Sequence, residues 1–336
     1  MDKIKVVVIG SNSFSGSDFV DLLLEKGKYS VVGISRSQEK DSLFLPYKRH
    51  LNHPFKFYQM DLNKDMDKII DVINEFKPDY IINFSAQSEV APSWENPTHW
   101  FQTNVVAITN LANRLKDFKF IKRYVHISTP EVYGSCSGLV KENMLLNPST
   151  PYAASKAAGD LSLFTFLKNF NFPLVVIRSA NVYGAYQQLH KIIPRSIIYI
   201  KLGKMIELHG GGNARRSFIH IRDISKGELF AMEKGRIGEI YHLSPNYLPT
   251  DFGIAIRDLV RKICEKMDVL FEKVTKGVED RPGQDALYAL DSSKARQEFG
   301  WKPNITLDEG LDDVINWIEK NWDKIKNQPL GYIHKP

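Results

Sequence analysis

Val6-Val7-Val8-Ile9 is apolar at every position and runs directly into Gly10-Ser-Asn-Ser-Phe-Ser-Gly16. An unbroken apolar run, as opposed to an alternating one, suits a strand covered on both faces, which is the habit of parallel sheets. Phe19, Leu22, Leu23 and Leu24 then recur at helical spacing. The chain therefore opens as strand, glycine turn, helix, and the same rhythm repeats. Val31 to Ile34, Phe55 to Tyr58, Tyr80 to Phe84, Tyr124 to Ile127 and Leu174 to Ile177 read as further strands. Met66, Ile69, Ile70, Ile73 and Phe76 mark one face of an amphipathic helix between them. Such alternation predicts an α/β fold, a doubly wound parallel sheet with helices on both faces.

After about residue 180 the rhythm loosens. Gly210-Gly211-Gly212 is a turn cluster, and Ile219 to Ile221 and Ile240 to Leu243 read as short strands able to return to the main sheet. The expected division is a dinucleotide-binding domain over 1–180, with parts of 217–246. A smaller, discontinuous lobe over 181–336 follows. The segment from Gln328 to Pro336 is expected to fray or dock loosely.

With 336 residues, 43% hydrophobic and 25% charged, the chain has the profile of a globular protein with two lobes. Its 45 basic and 39 acidic residues leave a net charge of +6, dispersed and without a run of like charges. That excludes a nucleic-acid stripe and is compatible with a small anionic ligand. The apolar runs are too short to span a bilayer, and Met1 to Lys5 lacks a signal-peptide layout, so a cytoplasmic protein is expected. Two cysteines, Cys136 and Cys264, make neither a disulfide framework nor a metal set.

The glycine loop is read as a cofactor site. Gly10 and Gly16 are the outer glycines of a Gly-x-x-Gly-x-x-Gly turn, with Asn12, Ser13 and Phe14 between them. A turn of this kind at a helix start allows close approach of a pyrophosphate and supplies N–H donors. An ordinary strand-to-helix turn is the plain alternative. The acid expected at the end of strand two to bind ribose is replaced by Ser35-Arg36-Ser37. These residues favour NADP over NAD, with a solvated surface arginine as the plain alternative. Asp61-Leu62 would lie near the adenine, and Ser85-Ala86-Gln87 near the nicotinamide half.

Tyr152-Ala-Ala-Ser-Lys156 carries the chemistry. On a helix the phenol and the ammonium share one face, a turn apart. A lysine beside a tyrosine favours the phenolate, letting a group that titrates near ~10 act as a base closer to neutral pH. Thr129 and Glu131, in Ser128-Thr-Pro-Glu-Val-Tyr-Gly134, add a hydroxyl and a second proton-transfer group at the end of the Tyr124–Ile127 strand.

Together these segments resemble the extended short-chain dehydrogenase/reductase family, and within it the nucleotide-sugar 4,6-dehydratases. The resemblance runs over nearly the whole chain. Asn83 to Val90 is similar to the family's fourth-strand segment, and Thr103-Asn104 to its Thr-Asn pair. Arg178-Ser-Ala-Asn-Val-Tyr-Gly184 resembles the stretch whose asparagine meets the substrate diphosphate. Arg216 to Asp223 and Asp280-Arg-Pro-Gly-Gln-Asp285 resemble two further family segments. The resemblance implies Thr129, Glu131, Tyr152 and Lys156 as the catalytic set, with Asn104, Tyr152 and Lys156 also at the cofactor. It implies Ser88, Glu131, Asn181, Arg216 and Arg281 at a nucleotide-diphosphate sugar; Asn181 as a turn residue and the arginines as surface residues remain open. It further implies a homodimer or higher homo-oligomer, pairing through two long helices, 97–116 and 152–169.

One departure stands out. The family often has an aspartate between the threonine and the glutamate, where it protonates the leaving hydroxyl. Here that place is Pro130, whose side chain can neither donate nor accept. GDP-mannose 4,6-dehydratases also lack that aspartate and keep the glutamate. The implied reaction is transient oxidation at C4, loss of the C5 proton, departure of water from C6 and hydride return. A decarboxylase, a 4-epimerase or 4-dehydrogenase, and a non-catalytic nucleotide sensor are the competing readings.

Overall fold

A computed structural model describes residues 3–50, 55–136, 138–247, 252–280 and 289–335. Seven strands form one sheet: β1 (Ile4–Ile9), β2 (Tyr29–Ser35), β3 (Phe55–Gln59), β4 (Tyr80–Asn83), β5 (Arg123–Ile127), β6 (Leu174–Ser179) and, later in the chain, Ile240–Leu243. Their spatial order, from the Ile240–Leu243 edge, is β6, β5, β4, β1, β2, β3, and every pairing is parallel. The order reverses beside β1, which opens a crevice at the carboxyl ends of the strands, where α/β folds bind ligands.

The unbroken apolar runs are explained by two-sided burial. Val6, Val8, Val31, Ile82, Val125, Val175 and Ile177 pack to one side, against Phe19, Leu22 and Leu23 of α1 (Phe14–Lys26). Val7, Ile9, Val32, Ile34, Ile81 and Val176 pack to the other. There they meet Ile69 and Ile73 of α2 (Met66–Phe76) and Leu111 of α3 (Ile108–Leu115). Adjacent residues along one strand thus serve opposite cores, which the pleat requires.

A third apolar cluster lies in the second half of the chain. It joins Ile193 and Ile197 of Ile192–Lys201, Leu259 and Ile263 of Ile256–Lys266, and Leu311, Val314 and Trp317 of Leu307–Lys320. Two expectations need correction here. Strand Ile240–Leu243 does rejoin the main sheet, but Phe218–His220 pairs in parallel with Asn181–Tyr183 as a separate two-stranded ribbon. Residues 97–116 are also not one helix. They form Pro97–Phe101, a wider π-turn over Gln102–Ala107, and α3. Cys136 is partly buried and Cys264 buried, and no disulfide joins them. Among the described residues no helix is long and apolar enough to cross a membrane.

The long helix α4 (Pro151–Phe170) is set by its ends. Thr150 caps it by accepting from the Ala153 N–H at 3.1 Å, Pro151 takes the first position, and Asn171 closes it in the left-handed conformation. Its Gly159 lies so close to the π-turn that an added Cβ would sit 2.3 Å from the Asn104 carbonyl oxygen. Alanine normally stabilises a helix interior relative to glycine, by about 1 kcal/mol. At this position overpacking dominates: Gly159→Ala is expected to destabilise the protein by about 1–3 kcal/mol. Urea unfolding of the two proteins checks the sign, and a gain in stability refutes the close contact.

Candidate active site and cofactor cleft

A cleft of about 600 Å³ opens at the carboxyl edge of the sheet, within the usual range for small-molecule sites. It is lined by Gly10, Asn12 and Ser13 after β1, by Ser35, Arg36 and Ser37 after β2, and by Asp61 and Leu62 after β3. Ser85, Ala86, Gln87 and Ser88 line it after β4. Twelve of the residues singled out in the sequence are thus brought to one cavity. Phe14 and Gly16 support the turn from α1 without lining it.

The glycines are there for space. Gly10 has φ +84°, and a Cβ on it would meet the Phe84 carbonyl carbon and the Ser85 nitrogen at 2.8 Å; one on Gly16 would meet the Gly10 oxygen at 2.3 Å. Ser13 caps α1 by accepting from the Gly16 N–H at 3.0 Å, and no acid stands in the helix's first turn. The positive end of α1, with no acid in its first turn, therefore faces the cleft. Asn12 stiffens the mouth: its amide donates to the Ser37 and Gln38 carbonyls at 2.9 and 2.8 Å, and its N–H to Ser35 Oγ at 2.9 Å. Asp61 Oδ1 accepts from the Asn63 N–H at 2.9 Å. Asn104 does not line the cleft. It holds Gln87 by both backbone groups, at 2.9 and 3.0 Å, and donates to Ser155 Oγ at 2.9 Å. A turn that excludes side chains, an acid-free helix start and a cavity lined from the ends of four strands suit a dinucleotide.

Beside this cleft, Thr129, Glu131 and Tyr152 converge. Thr129 is extended and begins the 3-10 turn Pro130–Tyr133, with Pro130 in the first position. Its Oγ1 accepts from the Glu131 N–H at 3.4 Å. The Thr129 hydroxyl and the Glu131 carboxylate both bear on the buried Tyr152 phenol. Gly134 (φ +66°) ends the turn where a Cβ would strike the Asn147 carbonyl oxygen at 2.2 Å.

The charge state of Tyr152 differs from the sequence expectation. Burial, and then the Glu131 carboxylate, push the phenol above its ordinary range, and the nearby Thr129 hydroxyl only partly offsets them. Lys156 follows one turn later on α4, but its Nζ donates to the Ile127 carbonyl at 2.8 Å and lies 3.4 Å from His126 Nε2. Burial, assisted by Arg178 and opposed by Asp160, brings Lys156 down to about 8. Beneath it, Asp160 accepts from Ser128 Oγ at 2.6 Å and from Arg178 Nη2 at 2.8 Å.

Glu89 was not singled out in the sequence. It lines the cleft and also bears on Tyr152. Burial would raise it, but His190 at 3.1 Å and Lys191 at 2.6 Å hold it ionised, at about 2. Lys40, a second missed residue, lines the cleft with no carboxylate in ion-pair range among the described residues. Asn181 and Arg216 lie in separate two-stranded ribbons, joined where the Asn181 N–H donates to the carbonyl of Ser217, next to Arg216, at 2.9 Å. Arg281 lies outside the described residues.

Lys156 makes stability depend on pH. Its folded value of about 8 is below the ordinary 10.5, so between those values the unfolded chain binds more protons and stability rises with pH. The unfolding free energy of the native protein, relative to Lys156→Met, is expected to climb by on the order of 3 kcal/mol from pH about 8 to about 10.5. Urea titrations across that window test it. A flat difference means that the buried amine is not depressed.

Residues 7–314 match the family described as GDP-mannose 4,6 dehydratase. The dTDP-glucose 4,6-dehydratase of Haemophilus influenzae is 29% identical over 333 residues, covering 93% of this chain and 97% of that protein. The dTDP-D-glucose 4,6-dehydratase of Mus musculus is 30% identical, covering 96% and 91%. The solved dTDP-glucose 4,6-dehydratase DesIV of Streptomyces venezuelae, with NAD bound, superposes with a TM-score of 0.88 at 28% identity, covering 96% and 98%. A UDP-glucuronic acid 4-epimerase from Bacillus cereus, also with NAD, gives 0.86 at 26%, covering 94% and 99%. The match over most of the chain, on this sheet and with this Tyr-Lys helix, places the protein in the GDP-mannose 4,6-dehydratase family of extended short-chain dehydrogenase/reductases.

Proposed function

We propose that the protein is a nucleotide-sugar 4,6-dehydratase that converts a nucleoside-diphosphate hexose to its 4-keto-6-deoxy form. The observation that carries this reading is the meeting of the Thr129 hydroxyl and the Glu131 carboxylate at the Tyr152 phenol. Dehydratase names among the relatives support it.

When bound, the oxidised dinucleotide supplies a hydride acceptor at C4, a hydride source for C6 and a positive ring charge. The protein's own groups move the protons. Tyr152 accepts the proton of the 4-hydroxyl, and Thr129 holds the C4 oxygen through its hydrogen bond. Lys156, tethered to the Ile127 carbonyl, adds positive charge on the phenol's face of α4 and favours the phenolate. Once C4 is a ketone the C5 proton is acidic, and Glu131 removes it. The C6 hydroxyl leaves as water with a proton from Glu131 or an ordered water, because Pro130 has none to give. Residues 1–180, with the returning strand Ile240–Leu243, form the dinucleotide half, and the later helices form the sugar-nucleotide lobe. Ser88, Asn181, Arg216 and Arg281 are assigned to the substrate; arginine offers forked, charge-assisted bonds to phosphate.

An epimerase returns the hydride to C4 itself and needs no base at C5. The carboxylate of Glu131 at the phenol favours the dehydratase. Phe101, Val106 and Leu161 are exposed apolar side chains on Pro97–Phe101, the π-turn and α4, and support a homodimer through these helices. For the cofactor, Arg36 and Lys40 in the cleft and serines where a ribose-binding acid would stand support NADP. NAD, named in the related solved structures, is the alternative.

Two measurements test the reading. A panel of UDP-, GDP-, CDP- and dTDP-hexoses is expected to include one that loses one water mass. Glu131→Gln should lower that loss by about 10²–10⁴-fold while reduced dinucleotide still accumulates; equal loss of both steps removes Glu131 from the C5 role. Arg36→Ala should weaken NADP about tenfold or more, by loss of a charge-assisted bond, and leave NAD little changed. Parallel binding titrations read the ratio, and equal effects on both dinucleotides defeat the NADP assignment.

A further inference from the structure

The expectation of a loose C-terminal segment is overturned in a way that concerns the cleft. Beyond the short helix Trp322–Ile325 the chain turns back, and Gln328, Tyr332, Ile333 and Lys335 line the same cavity as Gly10, Arg36 and Gln87. The segment is anchored at three places. Gln87 Nε2 donates to the Lys335 carbonyl at 2.7 Å. The His334 ring stacks on His99 and on the fully buried Trp100, each at 5.2 Å, and its Nε2 lies 2.9 Å from His99 Nδ1. Tyr332 meets the His190 ring edge-on at 5.5 Å, and its hydroxyl is 3.2 Å from His334 Nδ1.

These anchors bridge two sides of the cavity. Gln87 and His99 follow β4, whereas His190 precedes the helix Ile192–Lys201. The Gln87 anchor is itself rigid, because Asn104 holds both of its backbone groups. The cavity keeps about 600 Å³ with the segment docked. The segment is therefore a wall, not a plug. It also brings the Lys335 charge up to Lys40, adding positive charge where a dinucleotide's phosphates or ribose phosphate would lie.

We propose that residues 328–335 are a strap that forms part of the dinucleotide site and slows release of the bound cofactor. This rests on the dinucleotide reading above. The chemistry gives it a purpose: the hydride taken from C4 must be returned to C6 of the same sugar, so a reduced cofactor that escapes in between strands the intermediate. A wall tied to both sides of the cleft raises the barrier to that escape.

His334→Ala removes the stacked anchor and Tyr332→Ala the edge-on one, both in the full chain. NADPH, and NADH as a second probe, is loaded and its release followed by dinucleotide fluorescence after dilution into excess unlabelled competitor. Each variant is expected to release the dinucleotide about five- to tenfold faster, the scale of one aromatic contact. Tyr332→Phe, which keeps the ring, should fall between. In the native protein, bound dinucleotide should also slow chymotryptic cleavage after Tyr332. Unchanged release, or slower release marking a plug, overturns the strap. A native protein that holds neither dinucleotide overturns the cofactor reading as well, so the two failures are distinct.

Discussion

The buried ion pair between Asp160 and Arg178 is the contact on which the arrangement of the site depends. Asp160 is on α4, one turn beyond Lys156; Arg178 is on β6, and Ser128, the third partner, follows β5. Three elements thus meet at one carboxylate, and the helix that carries Tyr152 and Lys156 is held in register against the sheet. Burying two charges is unfavourable unless each is answered. Here the guanidinium also lies 4.8 Å from the Tyr133 ring centroid and donates to its hydroxyl, which in turn lies 2.7 Å from His242. Removing one member leaves the other charged and unpaired, a loss of about 3–5 kcal/mol. The pair therefore contributes less as net stability than as a fixed position for the helix.

The same network sets charge. Burial holds His126 neutral, with Lys156 and Arg178 acting in the same direction. A neutral imidazole beside Lys156 leaves the amine with a backbone carbonyl and, among the described residues, no counter-ion in ion-pair contact. The amine is thereby kept near the point where small changes in its surroundings alter its protonation. Tyr152 is displaced in the opposite direction and holds its proton. The two groups are poised apart, and the positive ring charge of a bound dinucleotide would favour the phenolate. This is why the tyrosine's ordinary value was a poor guide, even though its spacing from Lys156 was a good one.

What could be read from the sequence follows from the range of each interaction. The strands β1, β2, β4 and β6 were visible because burial on both faces leaves runs of valine and isoleucine. Tyr152 and Lys156 were visible because their relation is local to one helix. The partner of Phe218–His220 was not, because a three-residue strand carries no signal of what it pairs with. Glu89 looked like one more acid near β4, since the residues that hold it ionised lie about 100 positions away. The docked segment from Gln328 has neither helical nor alternating apolar spacing. Its contacts are one backbone carbonyl, one stacked imidazole and one edge-on ring, each too isolated to leave a pattern.

Pro130 ties local structure to the proposed chemistry. A proline at the first position of a 3-10 turn has its φ already set and no N–H to leave unsatisfied, so the turn that presents Glu131 is stiff. An aspartate there would offer a second acid but would lose that constraint. On the proposed reading, the carboxylate at position 131 takes the C5 proton, and with a proline at 130 the side chain beside it has no proton to offer the C6 oxygen. C5 and C6 are bonded neighbours, so one carboxylate on a rigid turn can serve both, provided the proton leaves and returns on the same face of the sugar. The rigidity of the turn and the economy of acids are two consequences of one residue.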